Sequence, residues 1–242
     1  MIVRLALCRA GLHLAVVLVG FCLPTVARTA DARPVRLATH DQAPYGTYMA
    51  DKSFDGVAVR VVNCVFKRMN RPVHIEVFPW ERAQKLAEQG GVDGFFPATL
   101  KPERLVWAGV SDVIADQKWV WYMLPASKLD PAAPDFKANA KVGAHFGSNR
   151  LKTLLEEGYQ VVLQPPTDGQ LIKGLMAGRT DAVLVGDLAV AEAMKEQNLK
   201  PADFRTVVAK DAPLHAYFGK KFLEGDDPAF LKKFNAQIAK CR

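Results

Sequence analysis

Apolar residues recur along this chain in two alternating rhythms. Val35-Arg-Leu-Ala-Thr39 reads as a short strand, followed by the loop His40-Asp-Gln-Ala-Pro-Tyr45. Val57, Val61, Val62, Val65, Phe66 and Met69 fall at helical spacing and predict an amphipathic helix over about 56–69. Asn70-Arg-Pro72 ends it. Val73, Ile75 and Val77 alternate as a strand, 80–89 reads as a second helix closed by Gly90-Gly91, and 94–98 as a buried strand with Phe95 and Phe96 on opposite faces. Lys118-Trp-Val-Trp-Tyr-Met-Leu124 is a longer apolar strand, expected to connect two halves.

The second half repeats the order. Val142-Gly-Ala144 ends a strand, and Ser148 is the expected N-cap of a helix with Leu151, Leu154 and Leu155 on its apolar face. Val161-Val-Leu163 is a strand, and Thr167-Asp-Gly-Gln170 matches a capping box before Leu171, Leu175 and Met176. Gly178 ends that helix, 181–185 is a strand, and Asp187 opens another helix. Helix, Gly91, Asp93, strand is echoed by helix, Gly178, Asp181, strand. Such alternation implies an α/β chain with a mainly parallel sheet in each half. Ligands of such sheets bind at the carboxyl ends of the strands, so two facing edges would enclose a cleft. Asp227-Pro228 precedes a last helix bearing Phe230, Leu231, Phe234 and Ile238 on one face. With no strand after it, that helix is expected to pack across the first half.

Residues 1–30 carry Arg4, Arg9 and Arg28 but no acidic residue, and a mostly apolar block runs from Ala10 to Val26. Small residues follow at Ala27, Ala30 and Ala32. This is the pattern of a cleaved secretory signal peptide; an uncleaved anchor is the alternative. Phe21 before Cys22 is too large for a lipidation site, so a soluble export product is expected. Without residues 1–30 the chain keeps 29 basic and 25 acidic residues, and its net charge falls from +7 to +4. The remaining basic residues are scattered, with no stripe interleaved with aromatics, so no nucleic-acid partner is expected. His40, His74, His145 and His215 lack metal-ligand spacing, no Gly-x-Ser-x-Gly elbow occurs, and 143–148 lacks the lysine of a phosphate loop. No metal, cofactor or catalytic residue is assigned.

The stretch Asp93-Gly-Phe-Phe-Pro-Ala-Thr-Leu-Lys-Pro-Glu-Arg104 carries the clearest chemistry. A buried strand runs into a turn with a hydroxyl, Thr99, and an arginine, Arg104, whose planar fork suits a carboxylate. The plainer alternative is that Arg104 pairs with a nearby surface carboxylate. Gly147-Ser148-Asn149 opens a helix, whose unpaired N–H groups and dipole also favour an anion.

These motifs, with Val106-Trp-Ala-Gly-Val-Ser-Asp112 behind them, resemble the family 3 solute-binding proteins, the polar amino-acid receptors of ABC importers. The resemblance covers nearly all of the chain after residue 33. It implies a two-lobed periplasmic-binding-protein-like (type II) fold with a central ligand cleft. Lobe 1 would be 33–122 with 214–242, and lobe 2 would be 123–213. It implies a monomer that binds a small carboxylate-bearing molecule, an amino acid first, for an inner-membrane ABC permease. Thr99 and Arg104 match the residues that grip the ligand carboxylate, and Gly147, Ser148 and Asn149 match the second-lobe turn. The acid that holds the ligand ammonium falls at Gly186, with Asp187 next; on a strand that shift reverses the side chain unless a bulge restores it. Asp187 is otherwise a helix cap, and Asp41 is the second candidate. Tyr45 and Trp80 are candidate ligand-facing rings, with Trp80 as a core anchor the alternative. The family's C-terminal helix returns to lobe 1, which would bring Cys241 to Cys64; the pair is then a disulfide, or otherwise one buried and one exposed thiol. Two further readings share the scaffold. One is an enzyme resembling cyclohexadienyl dehydratase, with His40, His145 and Glu81 as candidate acids. The other is a sensor without a transporter.

Overall fold

The computed structural model describes residues 33–225 and 227–242, so the expected amino-terminal leader lies outside the described residues. The first strand is β1 (Val35–Thr39); a small hairpin, β2 (Thr47–Tyr48) and β3 (Phe54–Asp55), leads to α1 (Val57–Arg68). Then come β4 (Val73–Val77), α2 (Trp80–Glu88), β5 (Gly94–Thr99), α3 (Pro102–Leu105) and β6 (Ala108–Ala115). The chain continues through β7 (Lys118–Met123), α4 (Phe136–Asn139), β8 (Lys141–Gly143), α5 (Asn149–Glu156), β9 (Gln160–Leu163), α6 (Asp168–Met176), β10 (Ala182–Gly186) and α7 (Asp187–Glu196). It closes with β11 (Arg205–Asp211), β12 (Leu214–Gly219), α8 (Lys220–Gly225) and α9 (Phe230–Ile238).

Among the described residues the main strands form two five-stranded sheets, β4-β1-β5-β12-β6 and β11-β7-β10-β8-β9. We call each sheet with its helices a lobe. Both sheets are mixed, which corrects the expectation of mainly parallel ones. In lobe 1, β4, β1 and β5 run parallel, while β12 is antiparallel to both β5 and β6. In lobe 2, β9, β8 and β10 run parallel, while β7 is antiparallel to β10 and β11. The antiparallel strands are those that carry the chain between lobes. It crosses from β6 to β7 at Asp116-Gln117 and returns from β11 to β12 at Ala212-Pro213. The first crossing therefore precedes the expected boundary at 122, because the whole of Lys118–Met123 is built into the lobe 2 sheet. The strands β6, β11 and β12 were not legible as strands in the sequence. Of these, β12 runs through the interior of the lobe 1 sheet, with Leu214 to Phe218 all buried.

Alternation along the strands divides the cores. Phe96 faces the side covered by α1 and α9, where Phe66 and Phe218 meet Phe230 and Phe234 edge-on or tilted and the last two stack on each other. Phe95 faces the other side with Ala83, Ala87 and Tyr217. In lobe 2, Trp121 and Met123 pack with Phe136, Leu151 and Leu154, whereas Val120 and Tyr122 point to Leu171, Ile172 and Leu175. Leu155 stands exposed instead of joining the apolar face of α5. Ser148 and Thr167 cap α5 and α6, accepting from the N–H groups of Leu151 and Gln170.

The last helix returns to lobe 1 and lies against α1 and β6. The sulfurs of Cys64 and Cys241 are bonded, with their Cα atoms 5.8 Å apart. The bond joins residues 177 positions apart, so it removes a large loop entropy from the unfolded chain. Loop-closure arithmetic sets its contribution at up to about 5 kcal/mol. Cys64→Ser should lower the urea midpoint accordingly. Neither cysteine lines the cavity described below, so ligand affinity should stay unchanged in calorimetry. Equal midpoints for oxidised and reduced protein would show the bond to be thermodynamically idle.

Candidate functional site

A cavity of about 1670 Å³ is lined by both lobes. It lies where the carboxyl ends of β1 and β5 meet the segments after β8 and β9. Ligand pockets usually hold about 300–1,000 Å³, so this is a cleft with room to spare. The lobes touch across it where Asn149 Nδ2 donates to Thr99 Oγ1 at 3.4 Å.

On the lobe 1 side, Arg104 is 4% exposed. Its Nε and Nη2 donate to Gln84 Oε1 at 3.1 and 2.6 Å, and its Nη1 donates to the Thr99 carbonyl at 2.8 Å. Trp80, Phe95 and Tyr217 surround the guanidinium at 5.3–5.6 Å from their ring centres. Tyr217 is itself anchored, donating to the Thr99 carbonyl and accepting from the Lys101 N–H. Among the described residues Arg104 forms no ion pair; its neighbour Glu103 pairs with Lys101. The expected alternative, a surface carboxylate partner, is absent there. Burial pulls the guanidinium pKa down. Three of five N–H groups are used, so donors remain for an anion.

Trp80 is both a ring of this cage and the first residue of α2, against the His40 imidazole at 4.4 Å. His40 Nε2 donates to Gln42 Oε1 at 2.9 Å, while its Nδ1 is buried without a partner. Burial holds its pKa down at about 4, outweighing the Gln42 hydrogen bond and the Asp41 charge. Asp41 sits exposed on the cavity rim.

On the lobe 2 side, Gly147 has φ of +73°, the left-handed region that a turn into α5 requires. The Ser148 hydroxyl is engaged as the N-cap of α5. Arg150, one residue past Asn149, is 5% exposed, with Nη2 3.5 Å from Asp168. His145 Nδ1 lies 3.4 Å from the same carboxylate oxygen. Burial alone would raise the Asp168 pKa, but His145 and Arg150 together bring it below the usual carboxylate value.

The structure thus brings Asp41, Trp80, Thr99, Arg104, Gly147, Ser148 and Asn149 to one cavity. It places two expected residues elsewhere. Tyr45 is fully buried beneath α1, its hydroxyl donating to the Asp116 carbonyl, and burial pushes its pKa up. Asp187 is not a lining residue; its Oδ1 accepts from the backbone N–H groups of Lys118 and Leu188. No bulge turns it into the cleft: β10 pairs in continuous register with β7 up to Gly186, and α7 begins at once. Sequence reasoning missed Gln84, Gln117, Arg150 and Asp168. Gln84 follows Trp80 by one helical turn, and Arg150 stands inside the first turn after the Gly-Ser-Asn motif; those spacings were the available signals. The rival enzyme candidates His40, His145 and Glu81 also line the cavity. Among the described residues no cluster of three or more His, Cys, Asp or Glu is placed to hold a metal ion.

No protein-family model matches the chain, and no curated protein matches it in sequence. Solved structures do match in shape. A histidine kinase sensor domain with similarity to periplasmic binding proteins gives a TM-score of 0.69 at 18% identity, covering 87% of this chain and 90% of that one. The fold is that of a periplasmic binding protein. An ABC uptake transporter substrate binding protein from Streptococcus pneumoniae with bound histidine gives 0.67 at 15% identity, with 86% of each chain covered. EhuB in complex with hydroxyectoine gives 0.66 at 24% identity, covering 85% of this chain and 82% of that one.

The buried imidazole has a pH consequence. His40 titrates at 6.5 when unfolded and at about 4 when folded, so between these values the unfolded chain holds the extra proton. Stability should therefore be full above pH 6.5 and fall as pH drops towards 4. Asp168 acts only below its ordinary value of 3.8, so it does not contribute in that window. His40→Gln should flatten the slope of the unfolding free energy across it; an unchanged slope would assign the acid sensitivity elsewhere.

Proposed function

We propose that this chain is a periplasmic solute-binding protein that captures a small carboxylate-bearing molecule between its lobes and presents it to an inner-membrane ABC permease. The observation that carries this reading is the buried Arg104 guanidinium, which forms no ion pair among the described residues. A cation taken out of water without a counter-ion is expensive, and rings and an amide oxygen offset only part of that. A carboxylate in the cleft supplies the missing charge, with the Thr99 hydroxyl and Asn149 amide beside it. Hinge motion at the two interlobe crossings would close the lobes over it. The export pattern of residues 1–30 and the Cys64–Cys241 bond both suit an oxidising compartment outside the cytoplasm.

Binding without turnover is part of this reading. Of the rival enzyme's three candidate acids, His40 is kept unprotonated near neutral pH by burial, which weighs against that residue as the proton donor. The likeness to a histidine kinase sensor domain favours a second reading, in which the same closed complex reports ligand without transport. Both share one test of the site. Arg104→Met keeps the side chain's bulk and removes its charge. It should weaken a carboxylate ligand by roughly 2–5 kcal/mol in calorimetry. Thr99→Val should weaken it by about 1 kcal/mol, the worth of one hydroxyl bond. Affinity equal to wild type in Arg104→Met would refute the carboxylate site, and recovery of a chemically altered ligand would favour the enzyme.

A further inference from the structure

Lobe 2 presents a second set of donors to the cleft. Gln117, at the first crossing, is 3% exposed and lines the cavity. The Trp119 indole N–H donates to its Oε1 at 3.1 Å, which orients the amide and leaves Nε2 as the outward group. That Nε2 is buried and makes no hydrogen bond of normal geometry, although the amide lies close enough to the Tyr45 hydroxyl to oppose the upward effect of burial on its pKa. The Nε of Arg150 is likewise buried and unpartnered. These two side chains converge on Gly186 at the tip of β10. The three atoms nearest to a Cβ placed there would be Gln117 Nε2 at 3.5 Å, and the Ala189 methyl and Arg150 Nη1, each at 3.8 Å. Gln117, Arg150 and Ala189 all line the cavity, and Gly186 is buried directly behind them without lining it.

Buried donors without acceptors are rare in native proteins, because each forfeits its hydration for nothing. Donors that converge on a methyl-sized space call for an oxygen there. An ammonium is disfavoured, because the same space faces the Arg150 cation. The nearby part-buried carboxylate, Asp168, has its Oδ1 3.4 Å from His145 and 3.5 Å from Arg150, and that oxygen makes no hydrogen bond of normal geometry. Asp187 is turned to the backbone N–H groups of Lys118 and Leu188.

We propose that Arg150 and Gln117 form a second anion subsite around Gly186, and that the ligand is a small dicarboxylate held by one carboxylate in each lobe, rather than an amino acid. The inference rests on the reading that Arg104 takes the first carboxylate. The ligand bridges the lobes through charge at both ends, so binding of the second carboxylate favours the closed cleft.

The experiment is calorimetry on the exported-length chain with the straight-chain dicarboxylates from malonate to adipate. Each is compared with the monocarboxylate and the ω-amino acid of equal length, and α-amino acids form a separate set. At least one dicarboxylate should bind about tenfold or more tighter than both of its counterparts, the worth of one charge-assisted pair of bonds. Gly186→Ala is the sharpest variant. Its backbone, φ −75° and ψ 139°, suits alanine, and the methyl meets only ordinary van der Waals contacts, so the free protein should melt as wild type does. The methyl fills the subsite and should erase the dicarboxylate advantage while monocarboxylate affinity holds. Gln117→Glu keeps the acceptor for Trp119 but replaces the donor with an anion. It should invert the order, so that the ω-amino acid overtakes the dicarboxylate. Monocarboxylates or α-amino acids that bind as well as any dicarboxylate, with dependence on Arg104 but not on Gly186, would overturn this inference and leave the proposed function standing. No binding by any member of any set would overturn both.

Discussion

A buried positive charge organises the ligand-facing side of lobe 1. Arg104 leaves the tip of β5 by way of α3 and folds back under it, where Gln84 of α2, the Thr99 carbonyl and the rings of Trp80, Phe95 and Tyr217 converge on it. Gln84 and Trp80 belong to α2, Thr99 and Phe95 to β5, and Tyr217 to β12, so the guanidinium ties those three elements together. Aromatic faces are a weak substitute for a carboxylate, and the site is electrostatically incomplete by about one anion.

Lobe 2 answers with a different chemistry. Its ionic group is a cluster in which buried Arg150 and half-buried His145 both lie within 3.5 Å of the Asp168 carboxylate, with the Nε of Arg150 left without a partner. The two faces therefore differ in the donors they present: lobe 1 a buried cation with no ion pair among the described residues, lobe 2 the Gln117 amide and the Arg150 guanidinium near Gly186. Charge gives affinity with little regard to shape, whereas an oriented amide and a guanidinium edge discriminate oxygen from ammonium.

The connection between the lobes sets what can move. The chain crosses at Asp116-Gln117 and at Ala212-Pro213, and each crossing joins an antiparallel strand of one sheet to one of the other. Gln117 stands on the first crossing and lines the cleft, so the proposed closure would move its amide directly. The carboxyl-terminal helix, bonded through Cys241 to α1, holds lobe 1 as one body behind that motion.

Much of this was written locally. Helical and strand periodicities in 35–99 and 142–196 are each encoded within a dozen residues, and the elements there lie within a residue or two of their expected places. Phe95 and Phe96 were expected on opposite faces, because side chains alternate on any strand. The anion-suited types Thr99, Arg104 and Gly147–Asn149 were visible for the same reason: their chemistry is carried by residue type and short spacing. What the tertiary structure decided was everything that depends on a distant partner. The apolar run Leu214–Phe218 became a strand interior to lobe 1 only because β5 and β6 supply its ladders on both sides. Tyr45 was drawn into the core under α1, and Asp187 was claimed by the Lys118 amide across the sheet. Gln117 and Arg150, 33 positions apart in the numbering, became neighbours at Gly186 because β10 ends beside the first crossing. Periodicity and capping are short-range properties of the chain, but a buried group's partner is chosen by packing, and packing brings together residues that no local pattern relates.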